Sequence, residues 1–207
     1  MGDIYDHIPK ILASARSSIV VLEIGAGHGD DTVRLVEAVL ETGKPYRFFA
    51  FECERNNIAP IVEKVGSRVE IVPCAIGDRA GSVPFIGSGS WAFSGSVKAP
   101  REHLKTNPWI PFQEPVEVPM IRLDDFCALR GIERVDFIWA DVQGAEDLMI
   151  AGGMETLART GWLYTEYYDT QEYDGQIPLD EIHCRLPGQW ERAEVWADNV
   201  LFRNTTR

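Results

Sequence analysis

A buried strand, a glycine-rich loop and a helix follow one another directly near the start of this chain. Ile19–Ile24 is apolar apart from Glu23 and rich in β-branched residues, which is typical of a strand covered on both faces of a sheet. The loop 25–29 (GAGHG) comes next, and an amphipathic helical pattern then runs over residues 31–42. Glycines at such a junction allow a tight turn and let a ligand approach the backbone at the start of the helix. The segment therefore predicts a ligand-binding crossover unit in an α/β sheet.

Short apolar runs and helical patterns alternate along the rest of the chain, which indicates a doubly wound α/β fold. Further strands are predicted at residues 48–51, 69–72, 135–140 and 162–167, and a terminal antiparallel hairpin at 194–196 and 199–202. Helices are predicted at residues 4–15, 31–42, 58–65, 124–130, 145–159 and 179–186, and residues 116–123 form one further regular segment. Since neither a linker nor a repeat interrupts the alternation, we expect one domain over residues 1–207.

Periodicity is absent between residues 87 and 115. This segment holds three Gly, four Pro and several Ser, interspersed with Trp91, Phe93, Trp109 and Phe112. Irregular segments of this length inside a compact domain are usually functional or disordered, and disordered segments tend to be poor in aromatic residues. We expect this segment to be a partly ordered cover over the site of the substrate that accepts a transferred group. The alternatives are an irregular segment that only packs against the domain and a mobile loop.

The charge balance bears on the kind of partner. Acidic residues number 32 against 20 basic ones, for a net charge of −12, and the basic residues form no stripe in the sequence. Such a surface repels phosphate backbones. We therefore expect no nucleic-acid partner and favour a small-molecule or saccharide acceptor.

Apolar runs and cysteines bear on the compartment. No apolar run approaches the roughly 18 residues that a membrane span requires, and the first residues lack the basic and apolar regions of a signal peptide. Cys53, Cys74, Cys127 and Cys184 are far apart, without the CxxC pairs of zinc sites or the density of a disulfide framework. We expect reduced thiols in a cytoplasmic protein that has no membrane partner.

The spacing of the glycine loop distinguishes between cofactors. In the GxGxxG loops that bind dinucleotides, the third glycine lies three places after the second. Here Gly29 lies two places after Gly27, and the position where a dinucleotide loop has its third glycine is occupied by Asp30. The acidic Glu23 before the loop would repel a pyrophosphate but attract the ammonium and sulfonium groups of S-adenosylmethionine. A glycine loop alone is compatible with a simple turn, but spacing and charge together predict S-adenosylmethionine as the cofactor.

Two later strand ends complete the predicted cofactor site. Glu52 ends the second strand, 23 residues past Gly29, where an acid can accept hydrogen bonds from both ribose hydroxyls. A solvated strand-end carboxylate is the alternative for Glu52. Ala75 and Ile76, at the end of the third strand, are expected to flank the adenine.

Three further acids, Asp141, Glu146 and Glu166, are associated with the fourth and fifth strands. Asp141 follows the strand at 135–140, and ligands of open α/β sheets bind at carboxyl ends of strands, so we expect Asp141 to face the transferable methyl group. The alternative for Asp141 and for Glu146 is a structural role, in which the carboxylate caps the start of the next helix or interacts favourably with its dipole. Glu166 lies in an otherwise apolar strand. Because a buried carboxylate without partners costs several kcal/mol, it should have a ligand, a donor or a structural arginine beside it.

In these residues and their spacing, the chain resembles the FkbM family of S-adenosylmethionine-dependent methyltransferases over residues 19–168. The matching segments are residues 22–29, 50–54, 75–81, 121–126 and 137–146. The Asp-x-Gln-Gly-x-Glu run that starts at Asp141 is the most distinctive. The chain departs from the common family pattern at Glu23, Gly27 and Cys53, where the family has Asp, Asn and Pro, and just before Asp141, where it has Lys. The resemblance implies a seven-stranded class I methyltransferase sheet and O-methylation of sugar, polyketide or other natural-product hydroxyls.

The residues and the resemblance together define the predicted site. The cofactor-binding set is Glu23, Gly25, Ala26, Gly27, Gly29, Glu52, Cys53, Ala75, Ile76 and Asp141. Asp141 and Glu166 are the candidate bases, because an alcohol must lose its proton as the new bond forms. A Mg²⁺-assisted variant that uses the same carboxylates is open but not favoured.

Two other functions compete with methyl transfer. A non-catalytic S-adenosylmethionine-binding or regulatory partner protein would keep the glycine loop but have no use for Asp141 or an aromatic cover. A nicotinamide-dependent oxidoreductase would need the GxGxxG spacing and usually a Tyr-x-x-x-Lys pair, which the sequence lacks. Methyl transfer to a hydroxyl is therefore the leading interpretation.

Overall fold

The main sheet of the computed structural model has seven strands, of which one is antiparallel to its neighbours. The structure describes residues 3–15, 17–89 and 93–206. The strands of this sheet are β1 (Ile19–Ile24), β2 (Tyr46–Phe51), β3 (Glu70–Val72), β7 (Val135–Ala140), β8 (Thr160–Glu166), β9 (Trp190–Val195) and β10 (Asn199–Asn204). Their spatial order is β3-β2-β1-β7-β8-β10-β9, and β10 is the antiparallel strand.

A second, three-stranded sheet follows β3 in the chain. It consists of β4 (Ala75–Ile76), β6 (Val116–Ile121) and β5 (Gly81–Phe85), in that spatial order. Val83 and Phe85 of the antiparallel β5 pack with Val118 and Met120 of β6. The sequence patterns do not predict β5, because its alternation is short and contains Pro84.

Helices cover both faces of the main sheet. The helices of the described residues are α1 (Ile4–Ser14), α2 (Asp30–Glu41), α3 (Arg55–Val65), α4 (His103–Thr106), α5 (Leu123–Leu129), α6 (Glu146–Gly152), α7 (Met154–Ala158) and α8 (Leu179–Arg185), with a 3-10 turn at Gly66–Arg68. All but the short α4 belong to the layers on the two faces. Helices α1 to α3 pack on one face, where they meet Ile19 and Val21 of β1. Helices α5 to α8 pack on the other, where they meet Leu22 and Ile24. The described helices include none that is long and apolar enough to cross a membrane.

The predicted doubly wound sheet and its terminal antiparallel hairpin are confirmed. The first strand of the hairpin begins at Trp190, four residues before the predicted start. The predicted continuous helix over 145–159 is wrong, because α6 ends at Gly152 and α7 begins at Met154. A Cβ on Gly152 would lie 1.8 Å from the carbonyl oxygen of Gly77, so this close approach requires a glycine where the helix ends.

The segment 87–115 is irregular, as the sequence predicts, and contains the short helix α4 among its described residues. Trp91, one of its four aromatic residues, lies outside the described residues. A β-bridge joins Pro100 to Tyr173, in the stretch that follows β8. The segment is therefore connected to the part of the chain that leaves the carboxyl end of β8.

Candidate active site

A cleft lies at the carboxyl ends of β1, β2 and β7, where open α/β sheets bind their ligands. Its space, including the mouth, is about 810 Å³. The predicted site residues on its wall are Gly25, Ala26, Gly27, Glu52, Cys53, Ala75, Ile76 and Asp141. The structure therefore brings most of the predicted cofactor set together in one place.

The loop after β1 crosses the strand end with its backbone on the cleft wall. Gly25 and Gly27 have φ of +86° and +52°, a left-handed conformation that favours glycine. The N–H of Gly25 donates to the carbonyl of Phe51 at 2.9 Å, which fixes the loop against β2. Gly29, with φ of +80°, lies outside the lining, and a Cβ there would come within 3.2 Å of Ile61. The structure thus places Gly29 in the packing of α2 against α3.

Glu52 is buried at the end of β2 and holds the same loop through its side chain. One carboxylate oxygen accepts from the N–H of Gly27 at 2.7 Å, and the other accepts from the N–H of Glu54 at 2.7 Å. Burial raises the pKa of this carboxyl to about 7, against the opposing effect of these hydrogen bonds. Each oxygen keeps lone-pair capacity for a ligand hydroxyl, so the geometry fits the predicted contact with the ribose.

Several carboxylates surround the loop. Asp30 and Asp31 open α2 on the cleft wall. Glu23 lies outside the lining, fully buried, and one of its oxygens has no hydrogen-bond partner among the described residues. Burial raises the pKa of Glu23 well above its usual value, and the charges of Asp31, Glu52 and Asp141 act in the same direction. A cationic ligand would relieve this repulsion, whereas a pyrophosphate would add to it.

The wall on the side of β4 is mainly apolar. Ala75 and Ile76 line it with Phe51 and the side chains of Cys53 and Cys74. Burial raises the pKa of both thiols, so they stay protonated and behave as small apolar groups. This wall fits a flat aromatic base such as adenine.

Asp141 and Glu166 are joined by the side-chain amide of Gln143. The amide nitrogen donates to Asp141 at 2.6 Å and to Glu166 at 2.7 Å. Burial raises the pKa of both carboxyls, and the charge of Asp141 raises that of Glu166 further. Asp141 lies on the cleft wall, whereas Glu166 is connected to the wall through Gln143. The two candidate bases therefore form one cluster.

The sequence patterns single out the neighbours of Gln143 but miss Gln143 itself. It is the non-glycine residue with a left-handed φ, +50°, in the described part of the chain. The hydroxyl of Tyr173 lies 2.8 Å from its side-chain oxygen, and the hydroxyl of Ser96 donates to its main-chain carbonyl at 2.7 Å. The one available sequence signal is a polar residue two places past Asp141, inside the most distinctive motif.

Glu146 has a local structural role. It is buried, and its carboxylate accepts from the N–H of Gly144 at 3.2 Å in the turn that leads into α6. Burial raises the pKa of Glu146 to about 7. The described partners of the Asp141 carboxylate are the main-chain N–H and the side chain of Gln143, and Glu166. The structural alternative thus fits Glu146, and the catalytic role of Asp141 stays a prediction.

Part of the segment 87–115 forms the mouth of the cleft. Phe93 and residues 95–97 line it, and the ring of Phe93 meets that of His28 edge-on, with centroids 5.4 Å apart. The side chain of Phe93 is nevertheless 55% exposed. Lys98 holds the next residues in place, because its ammonium lies 2.6 Å from Asp147 and donates to the carbonyl of Gly175 at 2.7 Å.

The residues present fit S-adenosylmethionine at three points. An acid with free lone pairs lies where a ribose would be held, an apolar wall lies where the base would be held, and carboxylates surround the loop that would face the cationic methionine part. Across residues 3–15, 17–89 and 93–206, three or more His, Cys, Asp or Glu side chains are nowhere grouped so as to hold a metal ion.

The strand order and the sequence both have counterparts in known proteins. The profile of the methyltransferase FkbM domain matches residues 23–196. The 2-O-methyltransferase NoeI of Sinorhizobium fredii is 40% identical over 199 residues, which cover 90% of this chain and 79% of NoeI. The crystal structure of an rRNA methylase candidate from Clostridium thermocellum has a TM-score of 0.52 and 13% identity, covering 98% of this chain and 97% of that one.

At 13% identity the structural likeness concerns the fold alone, a Rossmann-like methyltransferase sheet. The sequence match covers most of the chain, including the glycine loop, Glu52, Asp141 and Glu166. Together with a cleft that fits S-adenosylmethionine, it leads to one conclusion: the chain belongs to the FkbM family of S-adenosylmethionine-dependent methyltransferases.

Proposed function

We propose that this protein transfers a methyl group from S-adenosylmethionine to a hydroxyl oxygen of a saccharide or a related small natural product. The observation that carries the proposal is the pair of acids at the cleft, Asp141 and Glu166, held 2.6 and 2.7 Å from one amide nitrogen. A hydroxyl acceptor requires a group that takes its proton as the new bond forms. The relative NoeI, named a 2-O-methyltransferase, supports an oxygen acceptor.

When bound, the cofactor supplies a methyl group on a positively charged sulfur. Glu52 would accept hydrogen bonds from the ribose hydroxyls, and Ala75 and Ile76 would flank the base. The loop 25–27 would face the methionine part, where nearby acids such as Asp31 offset positive charge. With these contacts, the reacting end of the cofactor would lie beside Asp141.

Asp141 is the proposed base. Burial raises its pKa, so its carboxylate is a stronger base than that of an ordinary aspartate. In the reaction the acceptor oxygen forms a bond to the methyl carbon as the carbon–sulfur bond breaks. The hydroxyl proton moves to Asp141 and then to solvent. Holding the acceptor oxygen in line with the methyl group accounts for most of the acceleration.

The net charge, the segment 87–115 and the cysteines bear on the acceptor, the domain organisation and the cellular compartment. A net charge of −12 disfavours a polyanionic acceptor and suits a neutral saccharide hydroxyl. We propose that residues 1–207 act as one domain in which residues 87–115 cover the acceptor. All four cysteines are free thiols, which agrees with a place in the cytoplasm.

The test is formation of S-adenosylhomocysteine that depends on an added acceptor. The protein is incubated with S-adenosylmethionine and a panel of glycosides and polyketides, and the products are analysed by mass spectrometry and NMR. We expect a saccharide that gains one methyl group on oxygen. Methylation on nitrogen or carbon, or tight cofactor binding without transfer to any member of the panel, would contradict the proposal.

A further inference from the structure

The amide of Gln143 lies between two acids, and its orientation is determined by its three neighbours. The nitrogen faces Asp141 and Glu166, at 2.6 and 2.7 Å, and the oxygen faces the hydroxyl of Tyr173, at 2.8 Å. Ionised carboxylates only accept hydrogen bonds, whereas a hydroxyl can donate one. A flipped amide would set its oxygen against both carboxyls, and with one proton between them at least one would oppose it with an ionised oxygen that only accepts, so the observed orientation is the favourable one.

The backbone around Gln143 is built to hold this side chain in place. Gln143 is buried and has a left-handed φ, which costs free energy in a residue other than glycine. Gly144 follows with φ of +87°, and a Cβ there would come within 2.8 Å of the side chain of Tyr173. The hydroxyl of Ser96 fixes the Gln143 carbonyl at 2.7 Å. Backbone strain that is maintained by several contacts is typical of functional sites.

The surroundings of the two acids favour retention of a proton. The titratable groups that face them from neighbouring elements are Glu23 of β1, Asp31 of α2, Glu146 of α6, Tyr168 and Tyr173 after β8, and Asp198 before β10. None of these groups carries a positive charge, so two ionised carboxylates here would repel each other and their neighbours. Tyr168 acts in the opposite sense, because a hydrogen bond between its hydroxyl and Glu166 lowers the pKa of that carboxyl, but burial and the charge of Asp141 outweigh it. One proton retained between them removes this repulsion, and a hydrogen bond from Glu166 to Asp141 is within reach.

We propose that Gln143 is a positioning residue that holds Asp141 and Glu166 as a pair sharing one proton, with Tyr173 fixing the orientation of its amide. The catalytic role of the pair rests on the proposed methyl transfer, in which Asp141 accepts the proton of the acceptor hydroxyl. Gln143 stabilises the ionised member with a neutral donor, so Asp141 stays available as a base while Glu166 keeps the shared proton. The Tyr173 hydroxyl also lies 2.9 Å from the carbonyl oxygen of Ser94, so its one proton is shared between that oxygen and the amide oxygen of Gln143, and the contact links this unit to the mouth of the cleft.

NMR titration of protein with labelled Asp and Glu carboxyl carbons tests the pair directly. The protein is saturated with S-adenosylhomocysteine, and the two signals are assigned with Asp141→Asn and Glu166→Gln. In the wild type we expect both carboxyls to titrate as one coupled system that retains a proton at neutral pH. The measurement needs neither an acceptor nor turnover.

Variants at Gln143 and Tyr173 test the positioning role. Gln143→Glu replaces the donor with an acceptor of the same size, so the midpoint of the coupled titration should rise by about one pH unit or more. Tyr173→Phe frees the amide to rotate and should raise the midpoint by less. Gln189→Glu, which makes the same change at an exposed position, is the matched control and should leave the midpoint unchanged.

Two results would overturn the inference: independent titration of Asp141 and Glu166 in the wild type, or a midpoint in Gln143→Glu equal to that of the Gln189→Glu control. If Gln143→Glu fails to fold, Tyr173→Phe decides, and an unchanged midpoint there also overturns it. Failure of the proposed methyl transfer would leave these titrations unaffected. Once an acceptor is found, the pH of half-maximal kcat should shift in the same variants and in the same direction.

Discussion

Gly25 and Asp141 approach each other so closely that a Cβ on Gly25 would lie 1.9 Å from the main-chain carbonyl oxygen of Asp141. The N–H of Asp141 in turn donates to the carbonyl of Ile24 at 2.8 Å. The loop that would hold the cofactor and the residue that would take the acceptor proton are thus packed backbone to backbone. Because no side chain lies between them, their separation is set by the ends of β1 and β7 and leaves little freedom for adjustment.

Gly25→Ala should therefore destabilise the protein more than Gly43→Ala. Both glycines have left-handed φ, +86° and +65°, where an alanine costs roughly 1–2 kcal/mol. Only Gly25 adds a clash, since a Cβ on Gly43 would meet nothing within 4 Å. Urea unfolding measures the difference, and Gly25→Ala should also weaken cofactor binding by at least about tenfold. Equal losses in the two variants would show that the contact between β1 and β7 tolerates expansion.

Glu52→Gln should weaken the binding of S-adenosylhomocysteine. The new NH₂ group would face the N–H of Gly27 or of Glu54, and the ribose would lose a charged acceptor. A hydrogen bond to a charged group contributes about 1.5–3 kcal/mol, so Kd should rise about ten- to a hundredfold in calorimetric titration. Glu63→Gln makes the same change on the exposed surface of α3 and should leave Kd unchanged. An unaltered Kd in folded Glu52→Gln would assign Glu52 a structural role.

The main sheet could be predicted from the sequence because each of its buried strands is a local apolar run. β1 and β7 are buried at all six positions, and their own residues suffice to identify them. The strand β5 is different, because its apolar face forms only when Val83 pairs with Val118, 35 residues further along the chain. A short alternation of this kind has no partner visible in the local sequence.

The candidate site could be located from the sequence where it depends on strand ends, because the carboxyl ends of parallel strands meet at one edge of the sheet. This reasoning leads to Glu52 and Asp141. It does not lead to Tyr173, whose contact with Gln143 depends on the path of an irregular stretch after β8. Nor does it settle side-chain direction at Glu23, which the structure places behind the cleft wall and whose contact with the cofactor stays a prediction.

Protein without cofactor should become less stable as the pH rises from about 5 to 7. Burial raises the pKa of Glu52 and Glu146 from 4.5 to about 7 in the folded chain. Between these values the folded state binds more protons than the unfolded state, so the free energy of unfolding falls with increasing pH. Glu166, whose pKa burial raises to about 9, extends this fall above pH 7. Each such group contributes up to about 1.4 kcal/mol per pH unit.

Urea unfolding at a series of pH values measures this slope. Glu146→Gln removes one of the contributing groups while keeping an oxygen for the N–H of Gly144, so its slope should be shallower than that of the wild type. Glu63→Gln, on the exposed surface, should leave the slope unchanged. A wild-type protein whose stability rises over this pH range would contradict the raised pKa values.

Ligand binding should slow hydrogen exchange around Phe93. This side chain lines the cleft and contacts His28, so a ligand in the cleft should reduce the opening of residues 93–97. Exchange is measured with and without S-adenosylhomocysteine, and later with an acceptor as well. Phe93→Ala should lose the protection, whereas Trp109→Ala removes a similarly exposed aromatic that is not part of the cleft lining. Equal exchange rates with and without ligand would argue against a cover.

Asp141→Asn should remove most turnover while the cofactor still binds. The asparagine keeps an oxygen that can accept from Gln143, but its amide does not take up a proton. A general base contributes about 10²–10⁴-fold, so kcat should fall by far more than about tenfold. Asp125→Asn, on the exposed side of α5, is the matched control and should retain activity.

Three measurements, one on the wild type and two on Asp141→Asn, distinguish the possible roles of this carboxylate. Turnover of the wild type is first measured with added Mg²⁺ and with a chelator, because a metal-assisted reaction responds to both and a carboxylate base to neither. Circular dichroism then reports whether the variant folds; an unfolded variant would make Asp141 a structural residue. Calorimetric titration with S-adenosylhomocysteine reports the third role, since a folded variant that no longer binds would place Asp141 in the methionine pocket. In that case Glu166→Gln becomes the variant that should abolish turnover, because Glu166 is the other acid joined to Gln143.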